Sequence, residues 1–265
     1  MSSPASVLGR IVAHTRARVR ERQREHPLER LLSASTPPLD RRPFAAAVAR
    51  PGAMNVIGEF KRRSPSRGAI REDVTLAQVA RAYEAAGAAA LSVLTEPDFF
   101  GGSLEDLRQA RTATALPTLR KDFVVDTYQI WEAWSCGADA LLLIVAALSD
   151  LELRTLLRTT LGAGLDPLVE VHDRAELDRA LAAGSRLVGV NNRDLRTLEV
   201  DLGTAVALAP HIPDDVVAVA ESGIKSGAEL RRLRDAGFDA FLVGEHLMSA
   251  PDPGTALRSL LAGGA

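Results

Sequence analysis

The sequence holds a single cysteine, Cys136, in 265 residues. One thiol excludes an intramolecular disulfide framework and leaves nothing for a cysteine-based metal cluster. Its place between Ser135 and Gly137, at an expected helix end, gives it a packing role. Histidine offers no more: His14, His26, His172, His211 and His246 fall at no metal-ligand spacing and in no triad order. Long apolar runs are missing as well. Leu141 to Leu148 is far short of the ~20 residues that a bilayer span needs, and the N-terminus lacks the apolar region of a signal peptide. No membrane partner is expected, and the cytoplasm is the expected location. Charge of one sign is also absent: 32 basic against 34 acidic residues give −2, with no global pull toward nucleic acid or an anionic surface.

What is present is ordinary globular material, 46% hydrophobic and 25% charged, enough for one large core or two small ones. One segment departs from the average. Residues 1–50 carry ten Arg and no Lys against Glu21, Glu25, Glu29 and Asp40. Such a segment suits a transit peptide, a nucleic-acid arm or a solvated helix with Arg/Glu pairs. The apolar stripe Val7, Leu8, Ile11 and Val12 favours the helix, and the glutamates argue against an acid-poor transit peptide.

From Met54 onward one unit repeats. A helix-period stretch ends in Gly, and an apolar run begins two or three residues later. Gly87, Gly137, Gly184 and Gly237 are these stops, since Gly tolerates the left-handed conformation that ends a helix. Short, continuously apolar strands fit a parallel sheet buried on both faces. Ser149-x-x-Glu152, Asp173-x-x-Glu176 and Ser226-x-x-Glu229 read as capping boxes, and Leu76, Val79, Ala80 and Tyr83 share one helix face. Eight strands are expected: Asn55–Glu59, Ala89–Leu94, Pro117–Arg120, Asp139–Ile144, Pro167–Val171, Leu187–Val190, Val216–Ala220 and Ala240–Val243. Seven intervening helical segments and a last one near Thr255 to Leu261 complete the set. About 250 residues is the usual size of a (β/α)8 TIM barrel. The alternative, a doubly wound sheet, is weakened by the lack of a G-x-G-x-x-G turn after the first strand. The expectation is a single TIM-barrel domain spanning 1–265, with 1–50 as an N-terminal helical extension set off by Thr36-Pro37-Pro38.

In a barrel the C-terminal strand ends share one site. Those ends read Glu59-Phe60-Lys61 with Ser64 and Arg67 close behind, then Thr95-Glu96, Lys121-Asp122-Phe123, Glu170, Asn191-Asn192-Arg193-Asp194, Glu221-Ser222-Gly223 and Gly244-Glu245. The fourth strand adds only apolar residues. Ionisable groups are concentrated where packing normally wants apolar ones. Ser222-Gly223 and Gly244-Glu245 stand where barrels bind phosphate, with close backbone approach and N–H groups for an anion. The Glu245 backbone N–H suits that role while its carboxylate turns outward. Lys61, Lys121, Glu59 and Glu170 supply two opposite-charge pairs, either for proton transfer or as structural salt bridges. Trp131 and Trp134, three apart on a helix, read as packing.

These residues fall into blocks that resemble a known family. Ile57-Gly58-Glu59-Phe60-Lys61-Arg62-Arg63-Ser64-Pro65-Ser66-Arg67-Gly68 is similar to the strand 1 signature of indole-3-glycerol phosphate synthases. Phe100-Gly101-Gly102-Ser103, Leu119-Arg120-Lys121-Asp122-Phe123, Leu168-Val169-Glu170-Val171, Asn191-Asn192-Arg193-Asp194-Leu195, Ala220-Glu221-Ser222-Gly223-Ile224 and Leu242-Val243-Gly244 follow in order. The resemblance covers essentially the whole chain. Gly58 stands where a slightly larger residue is usual, and Glu245 where some members carry a small hydroxyl residue.

The resemblance implies a phosphorylated small-molecule substrate, 1-(2-carboxyphenylamino)-1-deoxyribulose 5-phosphate, and no cofactor or metal. Lys121 then corresponds to the general acid at the ketone oxygen and Glu170 to the group in the later proton removal and dehydration. Lys61 corresponds to the lysine at the substrate carboxylate, a second acid. Glu59 and Asn191 orient hydroxyls and the developing ring. Ser64, Ser222, Gly223 and Gly244 match phosphate-binding positions. Phe100, Phe123, Arg193 and Glu221 match residues near the anthranilate or supporting it. A monomer is expected over an oligomer.

Three rivals share parts of this pattern. A phosphosugar isomerase would keep the phosphate site, but no Cys or Asp pair stands at the strand ends to be its acid and base. A Schiff-base aldolase would use Lys121. A non-catalytic binding barrel would have lost part of the charged rim, which is intact.

Overall fold

The computed structural model describes residues 6–34, 41–65, 67–194 and 197–264. The boundary at Thr36-Pro37-Pro38 lies outside them, as do Ser66 and Leu195 of the family-like blocks. Eight parallel strands close into a barrel: β1 (Asn55–Phe60), β2 (Ala90–Leu94), β3 (Thr118–Lys121), β4 (Ala140–Ile144), β5 (Asp166–Val171), β6 (Leu187–Asn191), β7 (Val217–Glu221) and β8 (Ala240–Val243). β1 pairs with both β8 and β2, which shuts the sheet. The (β/α)8 expectation holds.

The strand ends differ in one instructive way. The expected strands 1, 3, 6 and 7 stop one residue short, at Glu59, Arg120, Val190 and Ala220. In the fold Phe60, Lys121, Asn191 and Glu221 are still in the strands. Asn191 is paired with Glu221 across β6 and β7, and Lys121 with Leu94 across β3 and β2. These side chains are therefore fixed by the sheet ladder, not carried on loops.

Local chemistry sets the helices. Thr75, Ser149 and Ser226 form reciprocal capping boxes with Gln78, Glu152 and Glu229. Asp173 caps Glu176 N–H, but the Glu176 carboxylate reaches back to the N–H of His172 and not to the cap itself. Gly87, Gly137, Gly184 and Gly237 all sit at positive φ just past helices, as expected of stops. Cys136 is buried at the end of the helix Thr127–Ser135. Trp131 and Trp134 on that helix stack edge to face, 5.9 Å between centroids, and pack against the core.

Among the described residues three helices precede the barrel: α1 (Val7–Glu25), α2 (Leu28–Ser33) and α3 (Phe44–Val48). α1 buries Leu8, Ile11 and Val19 on one face. Three of its six arginines pair with acids of the barrel, not with their own helix: Arg16 with Glu152 at 2.8 Å, Arg18 with Asp98, and Arg22 bidentately with Glu132. These three serve docking against the barrel. No helix among the described residues is long and apolar enough to cross a membrane.

Candidate active site

The C-terminal ends of the strands open into a cleft of about 1140 Å³. Every site residue named from the sequence lines it: Glu59, Lys61, Ser64, Phe100, Lys121, Phe123, Glu170, Asn191, Arg193, Glu221, Ser222, Gly223, Gly244 and Glu245. Glu96 and Asp194, also at strand ends, do not. The Glu96 carboxylate instead accepts the N–H groups of Asp98, Phe99 and Phe100, capping the short helix Pro97–Phe100 and so placing the Phe100 ring. Phe100 and Phe123 stand 6.1 Å apart as an aromatic wall. Val7, Leu8 and Ile11 of α1 supply an apolar face to the same cleft.

At its floor the Lys121 ammonium donates to Glu170 Oε2 at 2.7 Å and to Glu221 Oε2 at 2.6 Å. Burial works against this charge, but Glu170, Glu221 and Glu59 outweigh it and hold Lys121 above its ordinary pKa. Burial also raises Glu170, yet Lys121 and His172 more than reverse that and keep it well below the usual carboxylate range. Burial dominates at Glu221, and with the Glu170 charge nearby its pKa is pushed up to about 7. Nearby, Lys61 pairs with Glu59 at 2.8 Å, and Ser92 donates to the other Glu59 oxygen at 3.3 Å. The amide of Asn191 donates to Glu170 Oε1 at 3.1 Å while its oxygen accepts the Arg193 N–H.

Space for these carboxylates comes from missing side chains. A Cβ at Gly189 would lie 2.1 Å from Glu221 Oε1. One at Gly244 would lie 2.4 Å from Glu59 Oε1. Gly58 is likewise accounted for, since the Tyr83 ring lies over it, 2.6 Å from where a Cβ would be.

Across the cleft, Ser222 and Gly223 both adopt positive φ, +67° and +85°. Only Gly does so at little cost, so Ser222 is held strained at the rim. The Asn192 amide fixes this turn by donating to the carbonyls of Glu221 and Ser222. Glu245 corrects one expectation. Its carboxylate does not turn outward; it contacts Arg67 at 3.0 Å and Arg193 at 3.4 Å within the mouth. The two guanidiniums there draw it in.

Two residues escaped the sequence reading. The chain has three lysines, and the third, Lys225, lines the cleft as Lys61 and Lys121 do. His172 touches Glu170 from behind at 3.4 Å. The scarcity of lysine was a usable signal for the first; for the second nothing in the spacing of the histidines marked it.

A TIM barrel whose strand ends converge paired lysines and carboxylates opposite a glycine-rich turn defines a class, the barrel enzymes that act on phosphorylated small molecules. The comparisons narrow that class. The family model described as indole-3-glycerol phosphate synthase matches residues 8–260. An indole-3-glycerol phosphate synthase of Acidithiobacillus ferrooxidans is 49% identical over 257 residues, covering 96% of this chain and 98% of the relative. Indole-3-glycerol phosphate synthase 1 of Streptomyces coelicolor is 47% identical over 259 residues, covering 98% and 96%. Among solved structures, a 3-hexulose-6-phosphate synthase matches with a TM-score of 0.62 at 14% identity, over 80% of this chain and 100% of that one. A thiamine phosphate pyrophosphorylase from Pyrococcus furiosus matches at 0.59 and 17%, over 78% and 93%. At such identities these two show the barrel fold alone. This chain belongs to the indole-3-glycerol phosphate synthase family.

Proposed function

We propose that this chain is a carboxy-lyase of tryptophan biosynthesis that converts 1-(2-carboxyphenylamino)-1-deoxyribulose 5-phosphate into indole-3-glycerol phosphate. The observation that carries the reading is Lys121, ammonium form, seated on two buried carboxylates at the floor of a cleft whose far rim offers the Ser222-Gly223 turn. In the first step the ring carbon bearing the carboxylate attacks the ketone carbon, and Lys121 gives its proton to the ketone oxygen. Carbon dioxide then leaves, and the electron pair of the broken bond restores aromaticity. The new hydroxyl next departs as water with a proton from a rim ammonium, Lys61 or the recharged Lys121. Glu170 takes the proton from the former C1 and closes the indole double bond.

The remaining groups hold a flexible chain in reactive geometry, which is much of what this reaction needs. Ser64, Ser222, Gly223, Gly244 and the backbone N–H of Glu245 receive the phosphate. Lys61 meets the substrate carboxylate, with Glu59 beside it. Phe100 and Phe123 flank the anthranilate ring, Asn191 orients Glu170, and Glu221 and Arg193 support the site. We propose that the enzyme acts as a monomer in the cytoplasm. The test is direct: incubation with the carboxyphenylamino-deoxyribulose phosphate is expected to release indole fluorescence with one equivalent of carbon dioxide. No fluorescence with authentic substrate would end this reading.

A further inference from the structure

Lys121 donates to two carboxylates at nearly equal distances, 2.7 Å to Glu170 and 2.6 Å to Glu221. Proton transfer needs them unequal, one ionised to accept a proton and one spared the cost of a second buried charge. Their second oxygens differ sharply. Glu221 Oε1 is buried with no hydrogen-bond partner, facing Gly189. Glu170 Oε1 accepts from Asn191 at 3.1 Å and has His172 Nε2 behind it at 3.4 Å, an ion-pair contact that makes no hydrogen bond. His172 follows β5 directly, and its ring is mostly buried. Its Nδ1 is 3.0 Å from Glu176 Oε2, and its backbone N–H donates to that same oxygen at 2.9 Å.

We propose that His172, held between Glu170 and Glu176, is a positioning residue that decides which of the two carboxylates on Lys121 is ionised. The charged groups around the pair are Lys121 from β3, Glu221 from β7, Glu59 from β1, and His172 with Glu176 on the segment after β5. His172 stands on the Glu170 side alone. Burial opposes its charge, but the Glu170 and Glu176 carboxylates outweigh burial and raise its pKa to about 10. As an imidazolium it favours the charged form of Glu170, and it fills the space behind that carboxylate so that Oε2 stays on Lys121. Glu221, with no second cation and one unpartnered oxygen, takes the proton instead; a buried oxygen without a donor costs less in a neutral carboxyl than in a carboxylate. Glu176 completes the device by holding both the ring and the backbone of His172, which fixes the ring's direction.

The inference rests on the proposed role of Glu170 as the proton acceptor, and the experiment separates the two. Nitrogen-15 NMR of the ligand-free full chain, labelled at histidine, is expected to show His172 protonated on both nitrogens at pH 8, where an ordinary histidine is neutral. In His172→Gln the charge is gone. Glu170 then binds its proton more tightly, and the acidic limb of the kcat profile is expected to move up by about one pH unit, with KM changed less than about twofold. Glu176→Gln leaves the ring in place but removes one of its two acids. His172 should then lose its charge at lower pH in the NMR titration, while the acidic limb, where His172 is still protonated, stays close to that of the wild type. A neutral His172 at pH 8 in the wild type, an unchanged His172 titration in Glu176→Gln, or a His172→Gln profile that superimposes on the wild-type profile would overturn the proposal. Loss of rate in Glu170→Gln is the separate check on Glu170; if that variant keeps its rate, the role of Glu170 fails while the NMR result for His172 still stands.

Discussion

Replacing Lys121 by Ala tests the proton chemistry and the electrostatics of the site in one variant. The substitution leaves Glu170 and Glu221 facing each other, both buried, without the ammonium that donates to each. An acid acting in the transition state typically contributes 100-fold or more, so turnover is expected to fall by at least about 100-fold, or about 2.7 kcal/mol in the barrier. KM should change little, because the lost interaction belongs to the transition state. Stability should fall too: breaking a buried pair by removing one partner costs about 3–5 kcal/mol when the orphaned charge remains. That charge does not have to remain. With Lys121 gone, burial and the Glu170 charge hold the Glu221 carboxyl above its unfolded pKa, so the native state binds more protons than the unfolded chain. The destabilisation is then small below about pH 4–5, the unfolded carboxylate pKa, and grows as pH rises through the raised folded value. Indole fluorescence gives the rate, and urea unfolding at pH 5.5 and pH 8 gives the stabilities. The variant should be markedly weaker at pH 8 than at pH 5.5 relative to wild type. A variant keeping more than about a tenth of the rate would refute the acid role, and equal destabilisation at both pH values would refute the buried-carboxylate argument.

Two further outcomes follow from the geometry of the rim. Gly223→Val forces a β-branched residue into φ +85° and sets its Cβ 2.6 Å from Val200 Cγ1; KM should rise while inorganic phosphate competes with substrate on the wild type, and an unchanged KM would move the phosphate site elsewhere. Deleting residues 1–40 removes α1 and the Leu8 and Ile11 wall of the cleft. The barrel should keep its far-UV circular dichroism and bind substrate more weakly; salt-sensitive RNA or DNA binding by the intact chain at physiological ionic strength would instead make the segment a nucleic-acid arm.

The barrel was legible because its signals are local. Gly stops, capping residues and apolar runs each report on one helix or strand, and their alternation leaves few ways to arrange the whole. The rim was legible for the same reason: a charged residue directly after an apolar strand has little structural excuse. What stayed hidden depends on packing across elements. The direction of the Glu245 carboxylate is set by Arg67 and Arg193 from two other loops. Arg16, Arg18 and Arg22 of α1 looked like partners for Glu21 and Glu25, yet they meet Glu152, Asp98 and Glu132, between 80 and 136 residues away. His172 looked like one of five unremarkable histidines because its meaning lies in Glu170, two residues before it on the strand, and Glu176, one helical turn after it. Gly189 drew no notice because the group that needs its missing side chain, Glu221, sits on the next strand.

A Schiff-base aldolase also needs a lysine near a substrate ketone, so the position of Lys121 alone does not separate it from a proton donor. The state of the amine does. An imine-forming lysine has to be neutral to attack, which burial or a neighbouring cation encourages. Lys121 is buried, but the groups that face it are Glu170, Glu221 and Glu59, and together they hold it charged well past neutral pH. Of the other two lysines that line the cleft, Lys61 is itself bound to Glu59 at 2.8 Å and Lys225 is exposed. Attack on a carbonyl would first require stripping a proton from an ammonium that donates to two carboxylates. Giving that proton to a ketone oxygen, with Glu170 left to take one back, runs with the electrostatics of the site. Borohydride in the presence of substrate is therefore expected neither to inactivate the enzyme nor to add the mass of a reduced adduct. Intact-protein mass spectrometry followed by peptide mapping reads this directly, and an adduct on Lys121 would replace the proton donor with a covalent catalyst.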